Sequence, residues 1–484
     1  MIVMKFGGTS VEDASAIQQA ADIVFSRLHE QPVVVVSAMA GVTDALLAMA
    51  RNAAAGALPE ARKQARQLRQ RHLAALRALV SRADETIAQQ EVRALLDSLL
   101  DMLRGIASLG ELSPRTTDHV LCLGELLSSR IVTAAFRARG IPAALVDSRQ
   151  CIVTDATYTR AVPLFDQSTD RLQQNLMPAL QEHQVPVMGG FIAATVEGVA
   201  TTLGRGGSDF SAAIIGAALG AGRIEIWTDV EGMMTTDPRL CPRARRIEAI
   251  GFDEASELAY FGAKVLHPAT LMPAVEKNIP VFILNSRRPQ SPGTCIRAHA
   301  PRCRTTFRAI AAKTGMNVVN LKSPRMLLAH GFLRRLFETF ERHAFTADLV
   351  STSEVSVSVA FDSGTDLAAL LADLKHLGEV ELEEGKAILC LVGKDIRGRA
   401  GIAASVFSAV ADCDINIHMI SQGASEMNIS FVIEESDVAR AVQQLHQRFF
   451  EQVELERPKE FRAAGKRARV LAFRNQVSAR PEVR

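Results

Sequence analysis

Two glycine-rich turns constrain this chain most: Lys5-Phe6-Gly7-Gly8-Thr9-Ser10 near the amino terminus and Gly204-Arg205-Gly206-Gly207-Ser208-Asp209 mid-chain. Each follows a short apolar run with strand character and precedes a helical pattern. Each combines glycines, a cation and a hydroxyl. Glycine has no Cβ, so backbone can approach a phosphate closely, and amides at a helix amino terminus point at an anion. Two such turns in one chain predict two walls of one phosphoryl-transfer site.

The surrounding pattern is that of an α/β protein. Ile2 to Phe6 reads as a strand, Ala14 to Leu28 carries helical apolar spacing, and Val33-Val34-Val35-Val36 suits a parallel strand covered on both faces. Residues 44–113, rich in Ala, Leu, Arg, Gln and Glu, read as helices with a break at Pro59. Their arginines fit solvated helix faces. Further β-α alternation follows: a helix ending at Ile131 to Arg139, a strand at 143–146, a helix at 172–181, a strand at 185–188 leading into Gly189-Gly190-Phe191, and a strand at 224–229. Val281 to Leu284 reads as the last strand of this domain. The boundary falls in 291–314, where Pro292, Gly293, Pro301 and several arginines cluster.

Beyond it lies an internal repeat. Gly331-Phe332-Leu333 aligns with Gly401-Ile402-Ala403, and each helix is followed by a period-two strand, Ser353 to Val359 and Ser425 to Phe431. A second helical pattern follows each strand, at 367–377 and 436–449. The order is β-α-β-β-α-β, a small antiparallel sheet with helices on one face. We divide the chain into a catalytic domain over 1–290, a linker over 291–314, one module over 315–385, a second over 386–455, and a basic tail over 456–484 that reads as disordered.

At 484 residues, 48% of them apolar, the chain can bury several cores. A formal net charge of +2 and no basic stripe with interleaved aromatics argue against a nucleic-acid surface. No run approaches the ~18 apolar residues of a membrane span. Met1 to Lys5 is not a signal peptide. The seven cysteines form no C-x-x-C pair, so reduced thiols in a cytoplasmic setting are the natural reading; a Cys295–Cys303 pair is the alternative.

The first turn lacks the Walker spacing and is not a P-loop. Lys5 instead precedes the glycines at a strand end, where it can reach a transferring phosphoryl group; a simple tight turn reads the same. In the second turn, Ser208 is placed to cap a helix that begins near Asp209, with the amides of Gly206 and Gly207 at its positive end. Arg205 offers a planar fork matched to a carboxylate. Glu125, early in an apolar helix, is either a buried polar outlier or a surface charge.

These strings together resemble the aspartate kinases of the amino-acid kinase superfamily. The resemblance also rests on Val36 to Thr43, Trp227 to Val230, Thr235 to Arg239 and Phe261 to Pro268, in one order over nearly the whole chain. The duplicated module resembles paired ACT domains, in which one unit is typically interrupted by the other. The resemblance implies a three-layer αβα sandwich followed by two ferredoxin-like ACT domains. It also implies ATP-dependent phosphorylation of the L-aspartate β-carboxylate, with Mg²⁺ arriving on ATP.

By resemblance, Lys5 stabilises the transferring group with Phe6, Gly7 and Gly8 beside it, and Asp209 orients the cations and is a candidate metal contact. Arg205 with Gly206 and Gly207 holds the substrate α-carboxylate, and Glu125 its ammonium. Ser37, Thr43 and Ser208 supply hydroxyls. Thr228, Asp229, Met234, Arg239, Lys264 and Val265 line the nucleotide pocket, with Met234 standing where relatives often have Tyr.

Met326, Gly331, Phe332, Leu333, Asp348, Thr352, Ser353 and Glu354 match the amino-acid effector pattern of lysine-sensitive members, whereas Ala329 replaces a usual serine. Lysine inhibition, threonine inhibition and no feedback stay open, as do general biosynthesis and a specialised route. Two further readings compete with an aspartate kinase: a relative acting on glutamate or carbamate, and a catalytically silent amino-acid sensor. ACT modules usually pair across chains, so a homodimer or tetramer is expected. The chain is also expected to lack the homoserine dehydrogenase of fused relatives.

Overall fold

The apolar run before the first glycine turn is a strand buried along its whole length, β1 (Ile2–Phe6). The structure, a computed structural model, describes residues 1–80, 85–261, 268–298, 300, 305–327, 330–362, 367–394, 396, 398–423 and 427–452. It divides into two units: Met1–Asp237 with Ala244–Arg302, and Pro238–Arg243 with Cys303–Arg484.

In the first unit the chain leaves β1 for α1 (Ala14–Ser26), where the Asp13 side chain accepts the Ala16 amide at the helix start, and returns in β2 (Pro32–Val36) parallel to β1. Four helices follow: α2 (Val42–Ala54), α3 (Leu58–Leu79), α4 (Glu85–Leu109) and α5 (Pro114–Ala138). Pro59 marks a break by sitting in the first turn of α3, where its missing N–H leaves no bond unmade. The rest is β3 (Ala143–Val146), β4 (Val153–Thr154), α6 (Phe165–Gln181), β5 (Val185–Gly189), β6 (Ile192–Thr195), β7 (Ala200–Thr202), α7 (Gly207–Leu219), β8 (Arg223–Thr228), β9 (Ala249–Gly251), α8 (Phe252–Tyr260), α9 (Met272–Glu276), β10 (Val281–Asn285) and β11 (Thr294–Arg297).

Eight strands form one sheet in the order β3-β5-β2-β1-β8-β10-β11-β9, and β4-β6-β7 form a smaller one. Strands β3, β5, β2, β1, β8 and β10 run parallel. Alternate β1 residues Ile2, Met4 and Phe6 pack into the core that α1 to α5 cover. Lys5 points the other way, toward α7. This is the sandwich the sequence predicts. Contrary to expectation, α5 is long and apolar enough by hydropathy to cross a membrane, but 83% of that stretch is buried inside the protein.

Strand β10 is not the last of the unit. The chain turns at Gly293, whose φ is 64°, into β11, which pairs antiparallel with β10. A Cβ on Gly293 would overlap the Ile283 carbonyl, so the turn needs glycine. The 291–314 stretch is therefore not a linker: it holds β11 and the start of the next strand.

The second unit runs β12 (Ala309–Lys322), α10 (Phe332–Arg342), β13 (Ala347–Thr352), β14 (Ser356–Asp362), α11 (Leu367–Lys375), β15 (Glu379–Val392), α12 (Ile402–Ala411), β16 (Met419–Ser421), β17 (Asn428–Glu434) and α13 (Val438–His446). One antiparallel sheet, β13-β14-β12-β15-β17-β16, spans both modules. Strands β12 and β15 pair from Ala309↔Val392 to Lys322↔Glu379. Val319 and Leu321 join one core with α10 and α11, whereas Ile310 joins the other with α12 and α13. The second module thus takes its first strand from 309–313 and resumes at 386, interrupted by the first. It also includes Pro238–Arg243, a segment the sequence boundaries missed. Cys241 is buried in its core, and Gln443 Nε2 donates to the Leu240 carbonyl at 2.9 Å. The basic tail and Cys303 lie outside the described residues.

Candidate active site

Parallel pairing brings the carboxyl ends of four strands to one edge. Phe6 is in register with Val36 and Trp227, and Val36 with Gly189. Ligands bind at this edge of open parallel sheets, where loops and helix amino termini gather. The first glycine turn lies here: the Gly7 amide donates to the Trp227 carbonyl at 2.9 Å, and the Ala40 amide to the Gly8 carbonyl at 3.1 Å. A Cβ on Gly8 would stand 3.0 Å from the Ala38 carbonyl, so glycine lets the loops after β1 and β2 touch.

The second turn starts α7 differently from expectation. Gly206, with φ 70°, is the N-cap, and Ser208 lies within the first helical turn without capping it. Glycine adopts the left-handed backbone this entry requires without steric cost, which moves the start of the helix ahead of Ser208. Asp209 follows in the same turn, where the helix dipole favours a carboxylate.

The two turns meet through their side chains. Lys5 Nζ lies 2.7 Å from Asp209 Oδ1, with both side chains about nine-tenths buried. Glu125 on α5 reaches the same space. Its Oε1 accepts the Ala38 amide at 3.1 Å, while its buried Oε2 has no hydrogen-bond partner among the described residues. Burial pushes its carboxyl up to about 8, opposed by the Ala38 amide and the Lys5 charge. Two glycines allow α5 to come this close. A Cβ on Gly124 would sit 2.9 Å from that of Ala38, and one on Gly189 would sit 3.0 Å from that of Glu125.

A cavity of ≈ 500 Å³ opens among these groups. It is lined by Lys5, Gly8, Ser37, Thr43, Glu125, Arg205, Gly206, Gly207, Ser208 and Asp209, ten of the residues the sequence nominates. Lys5 brings an ammonium paired with Asp209, and the start of α7 brings backbone amides. Glu125 offers a carboxyl group with one oxygen unpartnered among the described residues, and Arg205 offers a guanidinium. Such a cavity fits an anionic group to be transferred and a substrate carrying both an ammonium and a carboxylate.

Other nominated residues lie elsewhere. Phe6 is fully buried and stacked on Trp227 at 6.1 Å between ring centroids. Gly7 stands behind Lys5, whose Nζ would be 3.6 Å from a Cβ there. Thr228 and Asp229 follow β8 at the same edge, with the Thr228 hydroxyl donating to Asp229 Oδ1 at 3.2 Å. Met234 is half-buried and bridges to Arg246. Arg239 belongs to the second unit, and Lys264 and Val265 lie outside the described residues. The cavity wall also includes Thr159 and Phe191, which the sequence analysis missed. Both have left-handed backbone, φ 71° and 64°, and such conformations on non-glycine residues leave no compositional mark.

The effector candidates fall in one module of the second unit. Met326 ends a short 3₁₀ turn, Gly331 with φ 80° caps α10, Phe332 is buried and Leu333 is exposed. Asp348 and Thr352 lie on β13, with exposed Ser353 and Glu354 just after it. Asp348 Oδ2 is held by Lys313 Nζ at 2.8 Å, and the same ammonium lies 2.9 Å from Asp362. Ser353 Oγ bonds Ser356 Oγ at 2.7 Å. Ala329 lies outside the described residues.

Comparison with known proteins places these features in a family. The amino acid kinase family matches residues 1–285, and an ACT domain matches 389–449. The lysine-sensitive aspartokinase 3 of Escherichia coli is 39% identical over 93% of this chain and 99% of its own length. The chloroplastic aspartokinase 1 of Arabidopsis thaliana is 35% identical over 94% of this chain and 81% of its own. The crystal structure of E. coli aspartokinase III with aspartate and ADP superposes with a TM-score of 0.80 at 38% identity, covering 93% of this chain and all of that one. The same enzyme with lysine and aspartate gives 0.82 over the same shares. The chain therefore belongs to the amino acid kinase family and, within it, to the aspartokinases, carboxyl-group phosphotransferases, and it carries an ACT region.

Proposed function

We propose that the protein transfers the γ-phosphoryl group of MgATP to the β-carboxylate of L-aspartate, giving L-4-aspartyl phosphate and ADP. The contact of Lys5 with Asp209, in one cavity with the unpartnered Glu125 oxygen, carries this reading. A carboxylate is already a nucleophile at neutral pH, so no general base is needed; the site must place it in line and neutralise charge. The β-carboxylate oxygen attacks the γ-phosphorus, the bond to the bridging oxygen breaks, and ADP leaves. Lys5 and the α7 amides face the phosphoryl group. Glu125 takes the ammonium of aspartate, which restores a counter-charge to a buried acid, and Arg205 takes the α-carboxylate. Mg²⁺ comes as part of the nucleotide substrate.

The product opens the route to lysine, threonine and methionine in the cytoplasm. Lysine acts as feedback effector at the ACT modules, a reading supported by 39% identity to a lysine-sensitive relative and by the Met326 to Glu354 residue set. A kinase without lysine feedback remains the second reading, favoured by the ammonium that Lys313 already supplies to Asp348. The modules pair across chains into a homodimer or tetramer. A coupled ADP-release assay with MgATP and L-aspartate, L-glutamate or no acceptor tests the reaction. Release that requires aspartate is expected. Release with glutamate alone, or none at all, would reject the proposal.

A further inference from the structure

Asp118 does not line the cavity, but it is fully buried on α5 two helical turns before Glu125. Its Oδ2 accepts the amides of Thr159 at 2.9 Å and Thr202 at 3.1 Å, and its Oδ1 accepts the Thr202 hydroxyl at 2.6 Å. A carboxylate this deeply buried is costly unless several donors hold it. Here three donors come from two separate segments.

Those segments carry one wall of the cavity. β7 ends at Thr202; Gly204 then turns at φ 74°, and Arg205 follows. Thr159 is held at φ 71°, a conformation unfavourable for a β-branched residue. Its carbonyl would lie 3.4 Å from a Cβ on Gly204, and the Ala161 amide donates to the Thr202 carbonyl at 2.9 Å. The Asp118 carboxylate therefore clamps Thr159 against the strand that delivers Arg205. The helix that carries the clamp also carries Glu125.

We propose that Asp118 is a positioning residue that fixes the distance between the Arg205 guanidinium and the Glu125 carboxylate, the two groups that grip the ends of the amino-acid substrate. This rests on the reading of the cavity as an aspartate site. Helix α5 is the common support. The carboxylate end of the grip is tied to it by hydrogen bonds and the ammonium end grows directly from it. A displacement of about 1 Å at such a site costs on the order of 100-fold in rate.

The test is initial-rate kinetics on the full chain, varying aspartate at saturating MgATP and the reverse, with thermal melts as a fold control. Asp118→Ala should raise the aspartate KM roughly tenfold or more while the ATP KM stays within about threefold. Asp118→Asn keeps one oxygen for the two amides and lets the Thr202 hydroxyl turn to accept from the new amide. It should return the aspartate KM to within about threefold of wild type. Asp118→Ala combined with Arg205→Ala should be no worse toward aspartate than Arg205→Ala alone, because both remove the same grip. If Asp118→Ala does not fold, Asp118→Ser, which keeps a polar group but is too short to hold both segments, takes its place.

Equal rises in both KM values, or losses that multiply in the double variant, would overturn the proposal. A wild-type protein with no aspartate-dependent ADP release would overturn the functional reading and this proposal with it. An active wild type whose Asp118 variants show no split would overturn the proposal alone.

Discussion

Nζ of Lys5 lies 2.7 Å from Oδ1 of Asp209, joining the end of the first strand to the first turn of a helix that begins two hundred residues later. The pair is mostly shielded from water, where its charges act more strongly than at the surface. Both residues line one cavity with the start of α7 and with Glu125, whose carboxyl feels the Lys5 charge.

Replacing Glu125 by Ala should raise the aspartate KM by at least about tenfold and leave the ATP KM within about threefold, because it removes a ground-state contact to one substrate only. Initial rates with each substrate varied in turn check this. Equal effects on both would remove Glu125 from the ammonium role.

Glu125 also gives the enzyme a pH signature. With its carboxyl at about 8 in the free enzyme, only about one-tenth is ionised at pH 7, and the ammonium pairs with the ionised form alone. kcat/KM for aspartate should therefore rise through pH 8 and level off above it, and Glu125→Gln should lose this limb. Stability should move the opposite way. The folded state holds a proton that the unfolded state releases between the ordinary carboxylate range and pH 8, so wild-type stability falls as pH rises across that window. Denaturation midpoints from pH 5 to 9 should slope less in Glu125→Gln; matching slopes would contradict the raised carboxyl.

Gly190 and Gly105 should respond to alanine with opposite signs. A Cβ at Gly190 would lie 2.7 Å from Ser208 Cβ and 2.8 Å from its Cα, so the start of α7 must move. Gly190→Ala should cost ~1–3 kcal/mol and reduce turnover. Gly105, inside α4 with nothing near its Cβ, should gain up to ~1 kcal/mol as alanine. Urea unfolding of both variants makes the comparison, and a neutral Gly190→Ala would contradict the close approach of the turn after β5 to Ser208.

Much of this site is legible in the chain because it is written in residue types. Lysine before paired glycines, arginine within a glycine turn and a glutamate in an apolar helix each stand out against their surroundings. Asp118 does not, since its importance comes from bonds to Thr159 and Thr202, far along the chain. The two modules of the second unit are visible as a repeat. Their interleaving is not, because nothing local marks that Ala309 pairs with Val392. The Ser208 cap failed for a related reason: a left-handed glycine at 206 starts the helix earlier than its composition suggests.

Lysine control has its own test. At low aspartate, lysine should inhibit the wild type, and Asp348→Ala should raise the lysine concentration needed by roughly tenfold or more. Lys313→Met should lower it, because Lys313 competes for Asp348. Initial rates against lysine and threonine decide the matter, and a flat wild-type response to lysine rejects lysine as the effector.

Trapping the acyl phosphate with hydroxylamine tests the convergence of the two turns most directly, comparing wild type with Lys5→Ala at saturating aspartate and MgATP. Wild type should yield aspartyl hydroxamate, and Lys5→Ala should lose ~10²–10³-fold in kcat with both KM values little changed. Near-normal hydroxamate formation by a folded Lys5→Ala protein would contradict the account.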